Sequence, residues 1–174
     1  MAGPLVLVGP PGAGKTSVGA LLARKLGRPF RDTDQDIEVA ESRTVGDIFT
    51  TDGEQRFREL EEWAIELALR EHTGVLAVGG GAVLSEHTRG LLRGHTVVFL
   101  NVGLNEGIRR TGLSTARPLL VGVYPRATFK ALLDARLPLY REVATVEVLT
   151  DDLDPAAVAE AVLLALAEKQ PAEK

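Results

Sequence analysis

The chain has 174 residues, 45% of them apolar, with 24 acidic against 20 basic side chains, a formal charge of −4 and no cysteine. That length fits one domain spanning 1–174 with a substantial core, and the lack of any unbroken apolar run of about eighteen residues excludes a membrane-spanning helix. The negative balance argues against broad nucleic-acid binding, and without cysteine there is no disulfide framework, thiol nucleophile or cysteine metal site.

The first strand begins almost at the N-terminus, so no signal or transit segment fits before it, and a cytoplasmic protein is expected. Leu5-Val6-Leu7-Val8 is a short apolar run of the kind found in buried parallel strands. It runs into Gly9-Pro10-Pro11-Gly12-Ala13-Gly14-Lys15-Thr16, which matches G-x-x-x-x-G-K-[ST] at every fixed position. Glycines at 9, 12 and 14 permit a tight turn and let phosphate oxygens approach the backbone N–H groups. Lys15 offers a mobile charge to the outer phosphates, and Thr16 a hydroxyl to Mg²⁺. Lys15 to Leu26 has helical spacing, so strand, loop and helix N-terminus follow in the order an anion site requires.

Gly27-Arg28-Pro29 breaks that helix, and Pro29 to Asp32 predicts a second strand with Asp32 and Asp34 at its carboxyl end. Helices are expected over Ile37 to Ser42 and Val45 to Thr51. From Gly53 to Arg70 the pattern is amphipathic, with Phe57, Leu60, Ala64, Leu67 and Ala68 on one side and Glu54, Arg58, Glu61 and Glu62 elsewhere. A third strand, Val75 to Val78, enters Gly79-Gly80-Gly81. Ser85 caps a helix through Leu92, His95 to Asn101 forms a fourth strand, and Leu104 to Thr111 is helical. Gly112 to Pro125 has glycine, proline and Arg117 without periodicity, the profile of a mobile loop. Arg126 to Val143 returns to helix, with Pro138 expected to kink or interrupt it. Thr145 to Leu149 is the fifth strand, and Asp154-Pro155 opens a last helix whose tail frays from Gln170. Alternating strands and helices predict a parallel sheet covered on both faces, with the site outside the strands' carboxyl ends.

A phosphate loop needs a carboxylate to help hold Mg²⁺. The third and fourth predicted strands end in glycine and Asn101, which leaves Asp32 and Asp34. In extended chain two carboxylates one residue apart share a side, so one could face the metal and the other a substrate; a helix-capping pair is the alternative. Arg58 could pair with Glu54 or Glu62 on its own helix, and Arg136 with Asp134 or Glu142. Arg117, alone in a glycine and proline loop, has little local reason to be there and suits a segment that closes over nucleotides. The histidines His72, His87 and His95 show no ligand spacing.

Asp32-Thr33-Asp34, Phe57-Arg58, Gly79-Gly80-Gly81, Arg117-Pro118-Leu119-Leu120 and Arg136-Leu137-Pro138-Leu139-Tyr140, following the phosphate loop in this order, resemble shikimate kinase, its bacterial and especially actinobacterial forms. The resemblance runs from Leu5 to about Pro155. It implies ATP-dependent phosphorylation of the 3-hydroxyl of shikimate in chorismate and aromatic amino acid biosynthesis. The implied fold is a five-stranded parallel sheet in order 2-3-1-4-5, like nucleoside monophosphate kinases, with a substrate-binding region near 33–61 and a lid near 112–125. By resemblance, ATP meets Gly12, Ala13, Gly14, Lys15, Thr16, Ser17, Arg110 and Arg117. Asp34 orients or deprotonates the nucleophile, Arg58 and Arg136 hold the shikimate carboxylate, and Gly79, Gly80 and Gly81 approach the substrate. Thr16 and Asp32 fall at the places of the Mg²⁺ ligands, one ion per chain, and a monomer is expected. The chain departs from many relatives in the acidic loop Thr150-Asp151-Asp152-Leu153-Asp154-Pro155, where a basic residue near adenine is common. Gluconate kinase, nucleoside monophosphate kinase and a non-catalytic nucleotide-binding regulator are the rival readings.

Overall fold

The structure is a computed structural model that describes residues 3–111 and 125–169. Among them β1 (Leu5–Val8), β2 (Phe30–Asp32), β3 (Val75–Ala77), β4 (Thr96–Asn101) and β5 (Val146–Leu149) form one sheet in the order β2-β3-β1-β4-β5. Every pairing is parallel, with Leu7 level with Ala77 on one side and Val98 on the other. All strands therefore end on one edge, and the order reverses beside β1. The helices are α1 (Lys15–Leu26), α2 (Thr33–Glu41), α3 (Val45–Asp52), α4 (Glu54–Glu71), α5 (Glu86–Leu92), α6 (Leu104–Thr111), α7 (Pro125–Val143) and α8 (Pro155–Lys169), with a 3₁₀ turn over Ala82–Leu84.

Side-chain alternation along β1 splits the core in two. Leu5 and Leu7 pack with Val18 and Leu22 of α1 and Val158 and Val162 of α8. Val6 and Val8 pack with Ile65 of α4, Leu92 of α5 and Tyr140 and Val143 of α7. A strand apolar at all four positions is stable only with helices on both sides, and burial of each such side chain contributes about 1.5–3 kcal/mol. A third cluster, Ile37, Val45, Ile48, Phe57, Leu60 and Ala64, holds α2 and α3 on α4 and carries Arg58 over the end of the sheet.

One expectation is corrected here, and the choice between a kink and a break at Pro138 is narrowed. The Asp32 to Asp34 segment is not extended: Asp32 ends β2 and caps α2, its side chain accepting from the Asp34 N–H at 2.9 Å, so Asp34 sits in the first helical turn. Pro138 does not interrupt α7, which runs from Pro125 to Val143 through it. Tyr140 and Val143, both buried on the sheet beyond Pro138, supply packing that outweighs the single backbone hydrogen bond a proline removes. The loop expected near 112–125, Arg117 included, lies outside the described residues except for Pro125.

Candidate active site

The phosphate loop leaves β1 and closes at the start of α1. Gly12 (φ 84°) and Gly14 (φ 88°) adopt the left-handed conformation that glycine accepts without strain. Gly14 is also the N-cap of α1. It provides no side-chain cap, and the first turn carries no acidic residue. Elsewhere Asp32, Thr44 and Ser85 satisfy the first turns of α2, α3 and α5. At α1 no side chain takes that place, and a helix N-terminus of this kind suits an anion. The Lys15 ammonium folds back on the loop, donating to the Gly9 carbonyl at 2.7 Å and the Pro10 carbonyl at 3.1 Å.

Asp32 uses its two oxygens separately. Oδ1 caps α2, while Oδ2 accepts the Thr16 hydroxyl at 3.1 Å. The metal and capping readings of Asp32 are therefore compatible. Pro11, Gly12, Lys15, Thr16, Asp32 and Asp34 share one cavity of about 210 Å³.

A second cavity, about 300 Å³, opens on the other side of the loop between Ala13, Gly14, Ser17, Arg110, Leu153 and Pro155. Arg110 bridges its walls. It donates to the Gly12 carbonyl at 3.2 Å, the Thr150 hydroxyl at 3.0 Å and the Thr150 carbonyl at 2.8 Å, and pairs with Glu106 at 2.9 Å. The acidic loop has local uses: Asp151 accepts from the Gly103 N–H at 2.8 Å and Asp154 caps α8 through the Ala157 N–H at 2.8 Å. Leu153, in the same loop, contributes an apolar wall to the cavity.

Beyond the end of β3, the triple-glycine turn is buried among the remaining candidates. A β-carbon at Gly79 would lie 2.6 Å from Glu61 Oε2 and 3.0 Å from Asp34 Oδ1; one at Gly80 would lie 2.9 Å from Pro11; one at Gly81 would lie 2.3 Å from Arg58 Nη2. The absence of a side chain is what lets Asp34, Arg58, Glu61 and the phosphate loop meet. Arg58 pairs with Glu54 at 3.2 Å, as its helix spacing allows, but its second partner is Glu61 at 2.8 Å and not Glu62. Its guanidinium also lies 5.8 Å from the Phe49 ring centroid and 5.4 Å from that of Phe57, which orients it across the cleft.

Glu61 is a buried charge beside these candidates that the sequence reading did not single out. It is only 2% exposed, and its Oε2 has no hydrogen-bond partner among the described residues. Burial pushes its carboxyl above the usual carboxylate range; Arg58 pulls it back, and the nearby Asp34 charge pushes it further up. The expectation that Glu61 stands off the apolar side of this helix is corrected: Phe57, Leu60, Glu61, Ala64, Ile65 and Ala68 are all buried, so Glu61 is a charge inside the apolar stripe.

Arg136 is 5% exposed. Its suggested helix partners are engaged elsewhere: Asp134 with Lys130, and Glu142 with Arg89 and Arg93. Burial lowers the Arg136 pKa, the Tyr140 hydroxyl raises it, and Arg58 lowers it again. A second guanidinium thus stands buried near the first, with the Tyr140 side chain beside it. That arrangement suits a planar anion. Among the described candidates, Lys15, Thr16, Asp32, Asp34, Arg58, Gly79 to Gly81 and Arg136 lie on one edge of the sheet, and Arg110 closes the cavity beside them. Arg117 lies outside the described residues.

A family model described as shikimate kinase matches residues 11–167. The shikimate kinase of Saccharopolyspora erythraea is 64% identical over 158 residues, covering 91% of this chain and 90% of that protein. That of Streptomyces avermitilis is 54% identical over 166 residues, covering 95% and 96%. A solved structure of shikimate kinase from Acinetobacter baumannii in complex with shikimate superposes with a TM-score of 0.93 at 37% identity, covering 98% of this chain and 97% of that one. With the fold, the phosphate loop, the half-buried Arg58 and the buried Arg136 in place, the match over almost the full length gives the assignment: the chain belongs to the shikimate kinase family.

Proposed function

We propose that this chain transfers the terminal phosphoryl group of ATP to the 3-hydroxyl of shikimate, giving shikimate 3-phosphate and ADP. The observation that carries this reading is a pair of guanidinium groups beside the phosphate loop, Arg58 against Gly81 and the buried Arg136 close enough to act on both Arg58 and Glu61. A planar carboxylate is best held by such forks, and a site built around a charged group rejects uncharged polyols.

Each side chain has a task in that reaction. The N–H groups from Gly12 to Ser17 and the Lys15 ammonium receive the phosphates, while Arg110, Leu153 and Ser17 border the space for the base. Arg117 brings further positive charge to the transferred group. Asp34, in the first turn of α2 and against Gly79, orients the acceptor hydroxyl and takes its proton as the new P–O bond forms. Glu61 steadies Arg58, and the region from 33 to 61 forms the acceptor side of the cleft. One chain provides every one of these groups, so the reading requires no second copy.

The Thr16 hydroxyl and Asp32 Oδ2, 3.1 Å apart, are hard oxygen donors suited to one Mg²⁺. Among the described residues no group of three or more His, Cys, Asp or Glu could hold a metal. An ion held by Thr16 and Asp32 would help neutralise phosphate charge. Also among the described residues, no helix is long and apolar enough to cross a membrane, and a cytoplasmic enzyme of chorismate biosynthesis fits the reading.

Incubation with ATP, Mg²⁺ and shikimate, followed by phosphorus and proton NMR of the product, tests the reaction. A single phosphomonoester at the 3-hydroxyl is expected; a different position or no transfer refutes the reading.

A further inference from the structure

Arg110, near the end of α6, lines the cavity of about 300 Å³ together with Leu153, Pro155 and Val158. Its guanidinium makes four hydrogen bonds to protein acceptors: Nε to Glu106 at 2.9 Å, Nη1 to the Gly12 carbonyl at 3.2 Å and the Thr150 hydroxyl at 3.0 Å, and Nη2 to the Thr150 carbonyl at 2.8 Å. A guanidinium whose N–H edge is taken up in this way offers a ligand its flat face, and such a face stacks on aromatic rings. It is a platform rather than a fork.

Two of the four bonds end on one residue. Thr150 follows β5 directly and is fully buried, at 0% exposure. Its N–H donates to the Asn101 carbonyl at 2.9 Å, and its hydroxyl donates to the same carbonyl at 3.1 Å. With its one proton committed there, the hydroxyl oxygen accepts from Arg110. Thr150 therefore holds two nitrogens of the guanidinium with two oxygens, which fixes the plane of the group as well as its position. Asn101 ends β4, so this grip is anchored to the sheet. Gly12 belongs to the phosphate loop, so the platform is also set in register with the phosphate cradle. Because Thr150 is buried, its action on a ligand has to pass through Arg110.

We propose that Thr150 is a positioning residue for the nucleotide: its hydroxyl and carbonyl keep the Arg110 guanidinium plane fixed at the wall of the cavity, where it receives the aromatic base. The proposal rests on the kinase reading given above. A face set beforehand takes up a ring without first losing side-chain freedom, so loss of the hydroxyl weakens ATP binding and leaves the acid side of the cleft untouched.

Thr150→Val removes the oxygen, keeps the branched shape and leaves the backbone bond to Asn101 in place. Steady-state kinetics with both substrates varied should show the KM for ATP raised about fivefold or more, while the shikimate KM stays within about twofold and kcat within about threefold. Neither KM depends on how much of the preparation is folded. Thr150→Ser keeps the hydroxyl and removes a buried methyl, so it should melt at a lower temperature yet leave the ATP KM within about twofold. Thr150→Ala differs from Thr150→Ser only in the hydroxyl, and the ATP KM should separate that pair in the same way, including where the valine variant does not fold. An unchanged ATP KM in Thr150→Val, a parallel rise in the shikimate KM, or an equal rise in Thr150→Ser would overturn the proposal. Failure of the unsubstituted enzyme to phosphorylate shikimate would instead overturn the functional reading.

Discussion

Arg58 Nη2 lies where a β-carbon on Gly81 would have to go, only 2.3 Å from it. The guanidinium is held there from the other side by Glu61 at 2.8 Å and Glu54 at 3.2 Å. A methyl group at position 81 therefore has to push the arginine off its two carboxylates or move the turn. Gly81→Ala is expected to raise the shikimate KM at least tenfold while the ATP KM stays within about twofold, because strain of about 1–3 kcal/mol from overpacking falls on the acid side of the cleft. Kinetics with each substrate varied in turn check this; equal changes in both would mean the turn serves the whole fold.

Removing a guanidinium tests the clamp itself. Arg136 is the more deeply buried of the two, and Arg136→Ala should cost about 2–5 kcal/mol in shikimate binding, since the ligand carboxylate loses a desolvated partner. Arg58→Ala should act in the same direction on shikimate and spare ATP. Calorimetric titration with each ligand reads both effects. An unchanged shikimate affinity for Arg58→Ala would return that residue to a surface ion-pair role.

Asp34 is half-buried in the first turn of α2, facing Gly79 and the phosphate-loop cavity. Asp34→Asn keeps the shape and removes the base, so turnover should fall about 10²–10⁴-fold with ATP binding nearly intact. Rapid-quench turnover together with ATP titration separates the two. Comparable loss of both would make Asp34 structural.

The double use of Asp32 predicts a split between stability and metal demand. Asn caps helices as well as Asp, so Asp32→Asn should keep the melting temperature within a few degrees while raising the Mg²⁺ concentration needed for half-maximal rate. Asp32→Ala should add a stability loss of about 0.5–2 kcal/mol from the lost cap. Thermal unfolding and a Mg²⁺ titration of activity, performed on both variants, distinguish the two oxygens' roles.

Glu61 makes stability depend on pH in an unusual direction. Its folded carboxyl binds protons more tightly than the unfolded one, so ionisation destabilises the fold as pH rises from the ordinary carboxylate range through the raised folded value. Below that window the penalty disappears. Glu61→Gln should therefore melt at a higher temperature than the parent at neutral pH, with the gap closing under acid conditions. Shikimate binding should weaken, because a neutral amide holds Arg58 less firmly. Melting curves across pH check the sign; a gap that widens in acid would show that Arg58 outweighs burial.

Much of this was legible in the chain because it depends on local rules. The run Leu5 to Val8, the glycines at 12 and 14, and the helical period after Lys15 are each dictated by short-range geometry, and the strand order followed from the family likeness. Asp32 was legible as a metal-facing or helix-capping residue and Arg58 as the partner of Glu54, of Glu62 or of a substrate; the structure shows Asp32 capping α2 and accepting from Thr16, and Arg58 paired with Glu54 and Glu61. The burial of Glu61 and the contact of Tyr140 with Gly80 escaped the sequence because both depend on what packs opposite them. The carboxylate faces Gly79 across α4 and β3, and the phenol reaches Gly80 from α7, 60 positions away in the chain. Asp34 was misplaced in extended backbone for a local reason, since the Asp32 side chain satisfies an N–H and starts the helix early.

The account's central claim is that one cleft joins a phosphate cradle to a carboxylate clamp, and acceptor choice tests it most directly. ADP release coupled to NADH oxidation should be measured with ATP and Mg²⁺ against shikimate, gluconate, AMP and no acceptor. The account predicts rapid release with shikimate alone. Release with gluconate or AMP but not with shikimate, or no release with any acceptor, would contradict it.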